Sequence, residues 1–191
     1  MLKVRRSPVV MGLVDSTRMK IAPSFTPIIT PAQAGDLPSI AALAGAVWRH
    51  HYPGIISSEQ IEYMLARMYS LETMRQEISS GGIRYDRLLH AGEMAGFSAF
   101  GPTSTAGEFK LHKLYVHPAA QRRGFGSVLL EHVQREVRAA RGHALVLAVN
   151  KANEKAIAAY RKNGFRIRDA VVMDIGGGFV MDDYVMEKRL D

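Results

Sequence analysis

Two stretches of this 191-residue chain hold residue types at spacings that could do chemistry. The first runs Leu114-Tyr115-Val116-His117-Pro118-Ala119-Ala120-Gln121-Arg122-Arg123-Gly124-Phe125-Gly126-Ser127, between an apolar strand-like run and an amphipathic helix-like one. A glycine-containing turn that opens a helix leaves backbone N–H groups without partners, and the helix dipole adds about half a positive charge there, so the turn can hold a phosphate. Arg122 and Arg123 add charge, while Gly124 and Gly126 have no Cβ to keep a pyrophosphate off the backbone. The pattern is not a P-loop, since G-x-x-x-x-G-K-[ST] is absent, and it lacks the third glycine of a dinucleotide fingerprint. Taken alone, it is equally a tight βα turn with solvated arginines. The second stretch, residues 150–165, spaces Asn150, Asn153, Ala156, Tyr160, Gly164 and Phe165 along a helical pattern. By spacing alone its tyrosine packs a helix on a sheet.

The surrounding pattern supplies the elements that must position these residues. Weak alternation around Ile28 and Ile29 predicts a strand over 26–30, and Asp36 is the expected N-cap of a helix carrying Ile40, Leu43, Ala44, Val47 and Trp48 up to Pro53-Gly54. Ser57 or Ser58 caps a second helix with the stripe Ile61, Met64, Leu65 and Met68. A further turn or two, 71–78, ends at Gly81-Gly82. Residues 83–91 and 94–101 form a hairpin, and 108–117 a third strand. From there the pattern becomes helix 122–140, buried strand 144–149, helix 152–162 ending at Asn163-Gly164, and strands 165–175 and 179–190 across Gly176-Gly177-Gly178. The fold class is mixed α+β, with antiparallel strands first and a β-α-β core later. Residues 1–24 read as a flexible extension and 25–191 as one domain, with no internal repeat.

Composition narrows the partners. Hydrophobic residues make up 47% and charged residues 23%, so disordered, collagen-like and coiled-coil classes fall away for the whole chain. With no cysteine there is no disulfide framework, thiolate nucleophile or Cys-ligated metal, and neither H-E-x-x-H nor an acidic calcium loop appears, so no metal is expected. No apolar run reaches the roughly 18 residues of a membrane span, and residues 9–14 are too short and lack the cleavage pattern of a signal peptide. A cytoplasmic protein is expected. The net charge of +7 is concentrated: residues 109–168 carry +10, flanked by −3 over 25–108 and −4 over 169–191. A local anion site fits this better than a basic coat, and aromatics interleaved with the basic residues are sparse, which ranks a small anionic cofactor above nucleic acid.

The two stretches together resemble the GNAT superfamily of N-acetyltransferases, which move an acetyl group from acetyl-CoA to an amine. Gln121-Arg122-Arg123-Gly124-Phe125-Gly126 looks like its pyrophosphate loop. N-x-x-N-x-x-A-x-x-x-Y-x-x-x-G-F from Asn150 to Phe165 looks like its second cofactor segment, and residues 182–190 look like its last strand. The resemblance covers roughly residues 26–190. It implies a central, mostly antiparallel sheet with one parallel, splayed strand pair, flanked by helices. Leu114, Tyr115 and Val116 would pair with the pantetheine arm, amides of Gln121, Arg122, Arg123, Gly124, Phe125, Gly126 and Ser127 would hold the pyrophosphate, and Asn153 would contact the pantetheine amides. Tyr160 matches the general acid for the departing thiolate. Elementary chemistry agrees, since a phenol of pKa about 10 stays protonated at neutral pH beside a thiol of about 8.5.

The attacking amine must lose a proton, because a primary amine near pKa 10 is almost wholly ammonium at pH 7. If alternation is unbroken, Glu108, Lys110, His112, Leu114 and Val116 share one face of their strand. Histone-modifying relatives carry glutamate where Lys110 stands here, so that role is absent. His112 is the expected base, directly or through a water, with Glu108 as runner-up; an isolated strand histidine is more often structural. His117 is expected to pack or face solvent. Trp48, His50, His51, Tyr52, Tyr63 and Met64 could wall an acceptor pocket or simply cover the sheet, and Asp182 and Asp183 could attract a cationic acceptor such as a polyamine. The competing reading is a non-catalytic acyl-CoA-binding regulatory module, and a homodimer stays open.

Overall fold

The computed structural model describes residues 26–79 and 82–190. The expected extension, residues 1–24, and the expected stop at Gly81 lie outside the described residues. Seven strands form one sheet: β1 (Ile28–Pro31), β2 (Arg84–His90), β3 (Glu93–Pro102), β4 (Glu108–Val116), β5 (Ala144–Asn150), β6 (Arg166–Gly176) and β7 (Phe179–Arg189), in the order β1-β2-β3-β4-β5-β7-β6. Every neighbouring pair is antiparallel except β4 and β5, which are joined by a crossover helix as parallel neighbours must be.

Helices cover both faces. On one side, α1 (Leu37–His51), α2 (Ser58–Met68) and α3 (Leu71–Ser79) bury Ile40, Leu43, Trp48, Ile61, Met64 and Met74 against Tyr85 and Phe97 of the sheet. On the other, α4 (Phe125–Ala139) and α5 (Glu154–Lys162) bury Leu130, Val133, Val137 and Ile157 against Leu111, Leu145, Leu147 and Met186. β5 is apolar almost throughout because both of its faces are covered. No helix among the described residues is long and apolar enough to cross a membrane.

Three local details differ from the sequence pattern. Asp36 does not cap α1 with its side chain; its carboxylate instead accepts Gln33 N–H at 2.8 Å and pairs with Arg87 of β2. A 3-10 turn, Pro118–Ala120, and the loop 121–124 precede α4, which therefore begins later than expected. The third difference concerns β4. Ala99 pairs with Lys113 but Phe100 with Leu111, so His112 is the extra residue of a β-bulge. The expected unbroken alternation fails there. Beyond the bulge Leu114 and Val116 pack on the α4 side, while Lys113 and Tyr115 face α1–α3.

Candidate active site

β4 and β5 run side by side only for Glu108–Ala144, Phe109–Leu145 and Lys110–Val146, and then part. The ladder to β3 shows which β4 groups this frees. His117 N–H donates to Ala95 O at 2.9 Å, and since successive residues turn their N–H and C=O groups to opposite sides, Leu114 and Val116 direct theirs away from β3, towards the gap. The Val116 carbonyl accepts Gln121 Nε2 at 3.2 Å.

A cavity of about 560 Å³ fills the gap and continues under α1 and α2. Its wall includes Leu114, Tyr115, Val116 and Gln121 from the β4 side, Leu147 and Asn150 from β5, and Asn153 and Tyr160 from the α5 side. Trp48, His51, Tyr52 and Met64 complete it from α1 and α2, whereas His50 and Tyr63 are not part of the wall. His117 Nδ1 accepts the Ala119 N–H, a turn-capping role.

The loop entering α4 has the form of an anion cradle. Arg122 and Gly124 sit at φ +62 and +82, a left-handed geometry that turns successive amides towards one concavity. Gly124 is the N-cap of α4 and no side chain caps that end, so the first amides of the helix keep their donors. Gly126 is the more telling residue. Its φ is not in the left-handed region, and a Cβ placed on it would meet nothing within 4 Å. Neither backbone conformation nor packing within the chain requires glycine there. A group outside the chain that approaches the helix end would require it.

The second stretch is a set of interlocking turns. Asn150 Oδ1 accepts Ala152 N–H at 2.9 Å, and Asn153 caps α5, accepting Ala156 N–H at 3.2 Å and contacting His51 Nε2 at 3.1 Å. At the other end Gly164, at φ +87, closes the helix. Phe165 N–H bonds Tyr160 O at 3.0 Å and Gly164 N–H bonds Arg161 O at 3.0 Å, the paired bonds of a Schellman stop. The Tyr160 and Phe165 rings meet at 5.6 Å. Tyr-x-x-x-Gly-Phe is thus the code that fixes where the Tyr160 ring stands. Burial, and then the nearby Tyr52 phenol, push the Tyr160 hydroxyl above its ordinary pKa, so it remains a proton donor at every physiological pH.

The structure brings His112 to the cavity wall and leaves Glu108 outside it. Burial, then the charges of Lys110 and Lys113, push the His112 imidazole down to about 4, so it is neutral at pH 7. Burial pushes the Glu108 carboxyl up, but its bonds from Arg168 and Thr103 outweigh this and hold it below the usual range. Beside His112, the buried Lys113 donates to Glu77 and to the Tyr85 hydroxyl, a β4–α3–β2 tie the sequence pattern did not reveal. The phenols of Tyr52, Tyr69 and Tyr115 are likewise pushed up by burial and are neutral.

A model of the acetyltransferase (GNAT) family matches residues 48–165, more than half of the chain. The chain belongs to the GNAT acetyltransferase family. It is an acetyl-CoA-dependent acyltransferase, and the expected α+β sheet with its splayed parallel pair is the family's fold. Among curated proteins it is similar to a spermidine N(1)-acetyltransferase of Thermoplasma acidophilum, 27% identical over 159 residues that cover 82% of this chain and 92% of that one. It is also similar to a probable N-acetyltransferase of Mycobacterium tuberculosis, 28% identical over 73% of this chain and 79% of the relative. Among solved structures, the PaiA N-acetyltransferase of T. acidophilum in complex with coenzyme A shares the fold at a TM-score of 0.72 and 24% identity, covering 86% of this chain and 99% of that one. Among the described residues no group of three or more potential ligands could hold a metal ion.

Proposed function

We propose that this GNAT acetyltransferase acetylates a small primary amine by direct transfer, with both substrates bound at once in the cavity. The observation that carries the reading is that one cavity is lined by the freed β4 residues Leu114 and Val116, by Gln121 at the cradle, and by the Tyr160 ring. The cradle amides fit a pyrophosphate, and the clearance at Gly126 supports that placement. Acetyl-CoA supplies the activated thioester. The Leu114 main chain and the Val116 N–H face the gap and can align the pantetheine arm, with the Val116 carbonyl held by Gln121, while Asn153, already committed to capping α5, holds that edge of the wall.

The amine nitrogen bonds to the thioester carbon, the carbon–sulfur bond breaks, and Tyr160 donates its proton to the leaving sulfur and regains one from solvent. The amine proton goes to solvent through His112 or a water it orients. With a conjugate acid near 4, the imidazole relays that proton rather than storing it. Glu108, outside the wall and held by Arg168, takes no part in this scheme.

Acceptors differ among the relatives: one is named for spermidine, and a fold neighbour from Escherichia coli, TM-score 0.64, for the alanine of ribosomal protein S18. Walls from α1, α2 and the β6–β7 hairpin support a small molecule here. The local concentration of positive charge supports an anionic co-substrate rather than nucleic acid. Incubation with acetyl-CoA and an amine panel, following free thiol and acetyl-product mass, tests this. Acceptor-dependent thiol release is expected, and coenzyme A binding without such release would show a binding module instead.

A further inference from the structure

Asp182 and Asp183 are adjacent in sequence but have opposite surroundings. Asp182 is exposed and paired with Lys151. Asp183 lies between Met181 and Val185 on the cavity-facing side of β7, opposite Val171 of β6 and Asn150 of β5. It is 4% exposed, and its Oδ1 has no hydrogen-bond partner. Burial, then the neighbouring Asp182 charge, push its carboxyl above the usual range, and Lys110 and Lys151 oppose this only through their charge, without a bond. Tyr52 lies near enough to couple electrically to both Asp183 and Tyr160, which puts the carboxylate one phenol from the proposed acid.

A buried carboxylate oxygen without a donor is costly, so its retention calls for an explanation, and a donor from outside the chain that completes it is one. The missing partner here is a donor, and a cationic one matches the charge best. We infer that Asp183 seats an ammonium group of the acceptor, so that the substrate class is a di- or polyamine carrying a second cationic nitrogen besides the one acetylated. The inference rests on the acetyltransferase reading above. A carboxylate stabilises the ammonium form of whatever nitrogen it holds, and an ammonium cannot attack, so the nitrogen on Asp183 is the one left unmodified. Ile56, Met64, Met68, Met173 and Met181 line the same cavity and give a methylene chain apolar walls to lie along.

Wild-type enzyme is assayed with an alkylamine, an α,ω-diaminoalkane and an ω-amino acid of equal chain length. kcat/KM for the diamine is expected to exceed that for either analogue by about 10- to 100-fold, the range of a hydrogen bond to a charged group. Asp183→Asn is expected to collapse this preference, chiefly by raising KM for the diamine, and Asp182→Asn to leave it in place. Calorimetry with coenzyme A establishes that the Asp183 variant is folded; should it not fold, the wild-type acceptor series alone decides. Absence of a diamine preference in the wild type, or its survival in Asp183→Asn, overturns the inference while leaving acetyl transfer standing. Failure of the wild type to acetylate any amine while binding coenzyme A overturns the acetyltransferase reading and this inference together.

Discussion

Around the loop of residues 121–127 the groups offered to a ligand are main-chain amides and glycines, whereas between α1, α2 and the β6–β7 hairpin they are side chains: Tyr52, Asp183 and a set of methionines. The first region derives its donors from one turn and one helix end, and it would serve any protein that must hold a diphosphate. The second converges from two pairs of elements, α1–α2 and β6–β7, that lie far apart in sequence. Its geometry depends on how they dock. Gln60 Nε2 donates to Val180 O at 2.8 Å and Tyr63 hydroxyl to Ile175 O at 2.7 Å, tying the hairpin to α2. At Gly176, with φ +83, a Cβ would stand 2.8 Å from that hydroxyl, so the close approach depends on glycine. A local site recognises what acetyl donors share, and a convergent site can differ between enzymes.

Substitutions in and around the two regions test this contrast. The largest expected effect lies outside both regions. Asp86, fully buried, accepts Arg84 Nε at 2.9 Å and contacts His132 Nε2 at 2.7 Å, joining β2 to α4. Asp86→Ala should cost about 3 kcal/mol in denaturant unfolding, chiefly by leaving His132 without its buried carboxylate partner, since Arg84 keeps Glu136, with kcat per folded molecule unchanged. A loss of kcat in the folded fraction would mean that the scaffold and the site are not separable.

Tyr160→Phe should lower kcat by about 10²-fold or less with coenzyme A affinity little changed, measured where chemistry limits turnover. An unchanged kcat would remove the phenol from the mechanism. Gly126→Val should weaken coenzyme A binding by about tenfold while leaving the melting temperature nearly unchanged, because the added atoms enter open space. A stability loss with unaltered affinity would instead make Gly126 a structural glycine.

A further effect concerns pH and develops only on acidification. His112 ionises near 4 in the folded chain but near 6.5 when unfolded, so between these values the unfolded state binds the extra proton and stability falls as pH is lowered. His112→Asn should flatten that part of the stability profile. The rate profile of the wild type should show no limb at 6.5 from this residue.

The same contrast governs what was legible in the sequence. Gln121 to Ser127 and Asn150 to Phe165 are contiguous, and each residue type there answers a local demand: a left-handed turn, a cap, a helix stop, an open Cβ position. The splayed parallel pair followed from the family resemblance that these two stretches carry, not from local pattern. The bulge at His112 was not legible, because one added residue leaves no mark on composition yet changes which β4 side chains share a face. The Lys113–Glu77–Tyr85 tie and the isolation of Asp183 were hidden for another reason: both are pairings, or missing pairings, between elements that meet only in the folded chain. Alternation of Asp183 with Met181 and Val185 was the available hint, a charged residue in an inward-facing apolar series.

The most direct measurement is a crystal structure with coenzyme A bound. Pyrophosphate oxygens are expected about 3 Å from main-chain nitrogens within residues 121–127, and the sulfur in the gap between β4 and β5 facing the Tyr160 hydroxyl. A pyrophosphate seated elsewhere, or a sulfur out of reach of that hydroxyl, would contradict this.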